Sequence, residues 1–151
     1  NKLINTKNKI IATTNYFTYI IDNNTGSILY KKNFSSLIKP LIINNYLFLI
    51  SKNHYFISFN LDTGRIIYSF DINKKISEFL NTNKKTAEFK NIFMINDKIF
   101  VFLKNSYVIV FELNGNIEKI IKLPLKLNSD PILIRDSLIY FDFNNKISIV
   151  N

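Results

Sequence analysis

The 151-residue chain contains no cysteine and no tryptophan, and it has a single histidine, His54. Without cysteine there can be no disulfide framework, no thiolate metal site and no cysteine nucleophile. A lone histidine with no cysteine beside it also supplies too few of the ligands that transition metals prefer. We therefore expect no metal site and no thiol chemistry in this chain.

Glycine is also scarce, with three residues in the whole chain. Phosphate-binding loops of the G-x-G-x-x-G or P-loop type need several closely spaced glycines, and neither pattern occurs. The nucleophile-bearing turn G-x-S-x-G is missing as well. Asp22, Asp62, Asp97 and Asp136 fall at predicted turn positions, where hydrogen bonds to the backbone explain them. We predict that the chain is not an enzyme, with no catalytic residues and no cofactor-binding residues.

No apolar run approaches the about 18 residues of a membrane-spanning helix, so we expect no transmembrane segment. The formal charge of +9 at pH 7 would allow a nucleic-acid or anionic-membrane partner. However, the lysines lie singly or in pairs at turns, as at Lys31-Lys32 and Lys74-Lys75, and do not line one face. The abundance of Asn, Ile and Lys is also typical of an AT-rich coding bias. We predict no nucleic-acid partner.

What the chain does contain is an internal repeat, marked by its three glycines. Gly64 lies 38 residues after Gly26, and Gly115 lies 51 residues after Gly64, so the second interval carries an insertion. Each glycine follows an apolar run and a turn rich in Asp, Asn or Thr, which is typical of a β-hairpin. A fourth copy begins at Pro131, which aligns with Pro40.

Each copy contains short runs of Ile, Phe, Tyr, Leu and Val, which predict β-strands. In the second copy these runs are Leu41 to Ile43, Tyr46 to Ser51, Tyr55 to Asn60 and Arg65 to Ile72. Strands joined by turns this short form an antiparallel meander. In the third copy, Ile99 to Leu103 and Tyr107 to Phe111 are apolar throughout, which is typical of strands buried on both faces. We predict an all-β fold, a β-propeller or propeller segment of about four four-stranded antiparallel blades.

The predicted organisation is a single β-propeller segment over residues 1–151. Its blades cover residues 1–34, 38–72, 89–123 and 131–151, and the last blade is incomplete. Residues 73–88 form an insertion in which Ile76, Phe79 and Leu80 have helical spacing, so it is either a short amphipathic helix or a solvated loop.

The incomplete last blade would leave an unprotected strand edge, which natural proteins normally avoid. Two explanations are open: the chain is a fragment of a longer propeller, or the missing strand comes from elsewhere, such as a second chain. Copies of the chain could also form a homodimer through their exposed blade faces.

The first two hairpins carry a recognisable motif, A-x-D-x-x-T-G-x-x-x-W. It is matched by Ile20, Asp22, Thr25, Gly26 and Tyr30 and again by Ser58, Asn60, Thr63, Gly64 and Tyr68. The chain thus resembles the pyrroloquinoline-quinone-like (PQQ-like) β-propeller repeat family. The third copy keeps Glu112, Asn114 and Gly115 but has Lys119 at the aromatic position. The resemblance implies that Tyr30 and Tyr68 replace a tryptophan that packs between blades.

The resemblance implies one of two functional classes. Quinone-dependent dehydrogenases of this family bind a quinone and calcium, and many use adjacent cysteines and a stacking tryptophan, which this chain does not contain. The other class is the BamB-like scaffold, a non-enzymatic periplasmic lipoprotein that helps to assemble outer-membrane β-barrel proteins. The resemblance favours a BamB-like protein-interaction scaffold whose partner is the outer-membrane assembly machinery. It also implies a periplasmic location, with any lipid anchor on a segment outside this chain.

Two alternatives remain. The chain is a fragment of a PQQ- or quinone-dependent dehydrogenase whose cofactor site lies outside this segment, or it is a general ligand- or sensor-binding propeller. Propellers bind partners through loops at the faces of the ring. The candidate partner-binding residues are therefore in the insertion: Phe79, Leu80, Lys84 and Lys85.

Overall fold

The computed structural model describes residues 2–83, 85–134 and 137–150. Within these ranges the chain forms four antiparallel sheets and one short helix. This confirms the predicted all-β fold.

The strand order in every sheet follows the chain, so each sheet is a meander. The first sheet contains β1 (Lys2–Asn5), β2 (Lys9–Thr13), β3 (Thr18–Asp22) and β4 (Ile28–Lys32). The second contains β5 (Leu41–Ile43), β6 (Tyr46–Ile50), β7 (Tyr55–Asn60) and β8 (Ile66–Asp71). After helix α1 (Ile72–Phe79), the third contains β9 (Phe89–Ile95), β10 (Lys98–Leu103), β11 (Tyr107–Glu112) and β12 (Ile117–Lys122). The fourth has three strands, β13 (Ile132–Ile134), β14 (Ser137–Phe141) and β15 (Ile147–Val150).

The strands of the second sheet end within one residue of the predicted positions. Their main departure is at β8, where the sequence predicted a strand from Arg65 to Ile72. The Arg65 carbonyl instead closes the preceding turn by accepting a hydrogen bond from the Asn60 backbone N–H at 2.8 Å. Ile72 is the first residue of α1.

The sheets pack face to face, and three apolar clusters fill the spaces between consecutive sheets. The largest cluster joins the second and third sheets, where the rings of Phe56 and Phe111 lie 4.9 Å apart between centroids. A second cluster joins Ile11 and Ile20 of the first sheet to the second sheet. A third joins the third sheet to Tyr140 of the fourth. The two middle sheets are therefore covered on both sides.

Each sheet has two distinct faces, which we name by direction along the chain. The forward face points toward the next sheet and the backward face toward the preceding one. In the second sheet, Phe48, Ile50 and Phe56 lie on the forward face, in the largest cluster. Leu47, Leu49, Ile57 and Phe59 lie on the backward face, against the first sheet. Because successive side chains alternate between faces, strands covered on both sides are apolar throughout.

In the first and second hairpins, the tyrosine packs against the glycine of the following hairpin. A Cβ atom on Gly64 would lie 2.5 Å from the Tyr30 ring, and one on Gly115 would lie 3.0 Å from the Tyr68 ring. Both glycines have positive φ angles, of 70° and 88°. The Tyr30 hydroxyl also donates a hydrogen bond of 2.5 Å to the Asp62 carbonyl. Glycine is thus required at these turns by backbone conformation and by the neighbouring ring.

Candidate functional site

The candidate site is built on helix α1, which begins immediately after the last strand of the second sheet. Asp71 has an extended backbone, and its carboxylate accepts a hydrogen bond of 3.0 Å from the Lys74 backbone N–H. This is the geometry of an N-terminal helix cap. Of the two interpretations of residues 73–88, the helix is therefore the one found, as far as Phe79.

The helix ends in a Schellman motif that turns the chain back toward the third sheet. Asn81 adopts a left-handed conformation with φ of 50°. Its backbone N–H donates to the Glu78 carbonyl at 3.2 Å, and the N–H of Thr82 donates to the Ser77 carbonyl at 2.9 Å. Asparagine is one of the few residues other than glycine that tolerates this position.

The side chain of Asn73 fixes the insertion to the second sheet. It is 4% exposed, and its amide nitrogen lies 2.9 Å from Nδ1 of His54. Its amide oxygen accepts a hydrogen bond of 2.9 Å from the Ala87 backbone N–H, so the amide nitrogen is the donor toward His54. The His54 ring also makes an edge contact with Phe89, with the ring centroids 5.8 Å apart. One amide group thus joins the beginning and the end of the insertion.

A cleft of about 360 Å³ lies between the insertion and the third sheet. Its apolar wall comes from both sides, and its main contributors are Ile76, Leu80, Leu103, Tyr107, Ile109 and Ile120. The polar lining residues are Asn73, Ser77, Thr82, Asn83, Lys85, Thr86 and Asn105, and the described lining contains no carboxylate. An apolar wall with polar groups at its edge and a lysine among its described residues suits an apolar side chain carried by a polar or anionic chain.

The structure brings two of the four candidate contact residues to this cleft. Leu80 and Lys85 line it, and the Leu80 side chain is 48% exposed. Phe79 is 47% exposed but does not belong to the lining. Lys84 lies outside the described residues.

Residues of the third sheet that no sequence pattern identified complete the site. Tyr107, Ile109 and Ile120 are repeat positions in ordinary strands, and nothing in their spacing distinguishes them from blade-packing residues. Asn73 was missed because its partners His54 and Ala87 are remote in sequence. The available signal for Asn73 is its position between a predicted strand and an amphipathic stretch. This signal is weak because the chain is rich in asparagine.

The described residues contain no group of three His, Asp or Glu side chains that could hold a metal ion. One exposed ion pair lies within the insertion, Lys74 with Glu78 at 3.8 Å, and a second joins its last residue to the third sheet, Lys104 with Glu88 at 3.1 Å. Pairs with this much solvent exposure contribute at most about 1 kcal/mol to stability. In the part of the chain that the structure describes, no helix has the length and hydropathy needed to cross a lipid bilayer.

Comparison with known proteins identifies the fold and no closer relationship. No family model matches the sequence. No curated protein matches it either. Among solved structures, BamB from Moraxella catarrhalis superposes with a TM-score of 0.74 at 15% sequence identity, over 99% of this chain and 42% of that one.

Two further solved structures share the fold. A europium-containing methanol dehydrogenase matches with a TM-score of 0.66 and 11% sequence identity. The match covers 99% of this chain and 39% of the dehydrogenase chain. The computationally designed Ika4 protein matches with a TM-score of 0.64 and 9% identity, over 98% of this chain and 88% of its own. The chain therefore spans about two fifths of BamB and of the dehydrogenase. These likenesses support the propeller fold that the PQQ-like motif implied.

Proposed function

We propose that this chain is a non-enzymatic protein-interaction scaffold with a BamB-like role in assembling outer-membrane β-barrel proteins. The observation that carries the proposal is the apolar cleft between α1 and the third sheet, with Leu80 half-exposed at its wall and Lys85 beside it. The likeness to BamB along nearly the whole chain supports the fold on which this role depends. In this proposal the protein works in the periplasm, and any lipid anchor lies on a segment outside this chain.

The proposed partner contact uses the exposed end of the insertion. Phe79 and Leu80 are adjacent and half-exposed, and Lys85 lies across the chain reversal made by Asn81. Exposed apolar side chains beside a cleft are typical contact residues in protein interfaces. We propose that Phe79, Leu80, Lys84 and Lys85 contact the assembly machinery, with an apolar partner side chain entering the cleft.

Photo-crosslinking in cells of the source organism tests this proposal. A photoreactive amino acid at position 80 should form crosslinks to components of the outer-membrane assembly machinery, identified by mass spectrometry. The matched control is position 29, where Leu29 is similarly exposed on the first sheet. Equal crosslinking of those components from both positions, or none from position 80, would contradict the proposal.

A double substitution provides an independent measure. Phe79→Ser with Leu80→Ser should weaken capture of the machinery about tenfold, as expected for the loss of about 1.4 kcal/mol at an interface. The melting temperature should stay constant, because both side chains are already half-exposed. Leu29→Ser should change neither quantity. A large fall in melting temperature would instead show that the segment belongs to the core.

The second candidate is a fragment of a quinone-dependent dehydrogenase, with its cofactor site outside this segment. The likeness to the methanol dehydrogenase is the observation that favours it. Titration of the full-length natural protein with pyrroloquinoline quinone and calcium separates the two proposals. The scaffold proposal predicts no binding, whereas saturable binding would favour the dehydrogenase.

A further inference from the structure

The fourth sheet exposes an apolar face that resembles the internal faces of the stack. In its register, Ile132 pairs with Ile139 and Ile139 with Ile149, so these residues share one face with Ile134, Phe141 and Ile147. Phe141 is 47% exposed and Ile147 is 64% exposed. The opposite face carries Tyr140, which is buried against the third sheet. The apolar face is therefore the forward face of the fourth sheet.

The repeat shows what this face is built to contact. Pro131 aligns with Pro40, and the same offset of 91 residues places Ile134, Phe141 and Ile147 on Ile43, Ile50 and Phe56. Those three residues of the second sheet are buried in its forward interface with the third sheet. The exposed residues of the fourth sheet thus occupy positions that pack against a following sheet. The surface that covers them should be the backward face of another sheet.

The first sheet presents such a backward face at the other end of the stack. Ile21, Phe59 and Phe111 are equivalent, because each is the first residue after the register shift between the third and fourth strands of its sheet. Phe59 and Phe111 are fully buried against the preceding sheet, whereas Ile21 is partly exposed. Ile10, its cross-strand partner, is partly exposed as well. The forward face of the fourth sheet and the backward face of the first sheet are therefore complementary, like the two faces that meet at each internal junction.

We propose that two copies of this chain associate head to tail, with the fourth sheet of each packed on the first sheet of the other. Two such junctions are related by a two-fold axis and close the stack into one ring, leaving neither apolar end uncovered. The lengths agree, because one copy spans about two fifths of BamB and of the dehydrogenase.

The oligomeric state of the 151-residue protein tests this proposal by sedimentation velocity over a range of concentrations. The expected species has twice the chain mass of 17.7 kDa. Phe141→Asp places a charge in the proposed junction and should yield a monomer. Leu113→Asp, at an exposed turn of the third sheet, should leave the dimer intact. A monomer at all concentrations would overturn the proposal and favour further sheets of a longer chain as the occupant, and open-ended growth would overturn the closed ring.

Crosslinking distinguishes head-to-tail packing from contact between like faces, and it does not depend on a destabilising substitution. The rings of Phe56 and Phe111 are in contact at the junction between the second and third sheets. Ile147 is the repeat equivalent of Phe56, and Ile21 is the repeat equivalent of Phe111. The chain has no natural cysteine, so Ile21→Cys and Ile147→Cys each introduce a unique thiol. A short thiol-reactive crosslinker should join the two variants when they are mixed. It should not join two copies of the same variant when either variant is present alone. Crosslinking of Ile147→Cys to itself would overturn the head-to-tail arrangement.

Discussion

The hydroxyl group of Tyr68 is buried at the junction between the second and third sheets. It has no hydrogen-bond partner of ordinary geometry among the described residues. Burial raises the pKa of Tyr68 well above its usual value, and the Ser58 hydroxyl on the neighbouring strand offsets this only in part. The folded protein therefore keeps this proton at a pH where the unfolded chain has lost it.

This difference predicts a loss of stability in alkaline solution. The unfolded tyrosine releases its proton at about pH 10. Above that pH the unfolded state binds fewer protons than the folded state, so the free energy of unfolding falls. Tyr68→Phe should reduce this fall while leaving stability at pH 8 unchanged or slightly higher. Urea unfolding at pH 8 and pH 11 measures both effects. Tyr16→Phe, at an exposed site, is the control and should behave like the natural protein at both values.

The amide group of Asn73 gives a second prediction at this scale. Asn73→Ala removes the hydrogen bonds to Ala87 and His54 and leaves the partly buried N–H group of Ala87 unpaired. We expect the free energy of unfolding to fall by about 1–3 kcal/mol. Chemical denaturation measures the loss, and Asn83→Ala, at an exposed position lining the same cleft, should cost little. Equal effects of the two substitutions would show that Asn73 does not hold the insertion in place.

These residues show where sequence reasoning about the site succeeds and fails. Leu80 and Lys85 could be predicted because apolar and basic residues in a polar insertion can be recognised from the sequence alone. The role of Asn73 could not, because it depends on partners brought together only by the folded turn at His54. The cleft also needs Ile109 and Ile120 from another element, and no local pattern links them to the insertion.

At the scale of the hairpin element, the glycines allow the cost of a positive φ to be separated from the cost of contact with a neighbouring ring. Gly26 and Gly64 have nearly the same positive φ, but only Gly64 is covered by an aromatic ring from the preceding sheet. Gly26→Ala should therefore cost only the backbone strain, about 1–2 kcal/mol. Gly64→Ala should cost a further 1–3 kcal/mol, roughly, because the Tyr30 ring must move. Thermal unfolding of both variants measures the difference, and equal losses would show that the ring contact carries no energy.

The strands and the helix differed in how far sequence could predict them. The strands of the second sheet could be predicted to within a residue because their apolar runs and turns are local signals. The sequence could not decide whether residues 73–88 form a helix or a loop. A helix of eight residues is not stable by itself, so local signals are not sufficient to predict it. Its existence depends on the cap at Asp71, the Asn81 turn and the anchor at Asn73, and the last of these is a tertiary contact.

For the whole molecule, stability should be graded along the stack. The second and third sheets are covered on both sides, whereas the first and fourth each have one apolar face exposed. In repeat architectures, stability is approximately a sum of single-unit and nearest-neighbour terms, so end units open first. Hydrogen exchange at low protein concentration should be slowest in β6, β7, β10 and β11 and faster in the end sheets. Uniform exchange would contradict this gradient.

The direction of the stack also bears on how the chain can fold while it is being synthesised. At each of the three junctions a forward face packs on a backward face, so the forward face of each of the first three sheets is covered by the sheet that leaves the ribosome after it. The nascent protein therefore exposes the backward face of its first sheet and the forward face of its newest sheet, and it grows in a single order from the N-terminus. A rearranged gene with the same sheets in reverse order would keep every residue, but it would replace each of the three natural junctions with a different pairing of sheets.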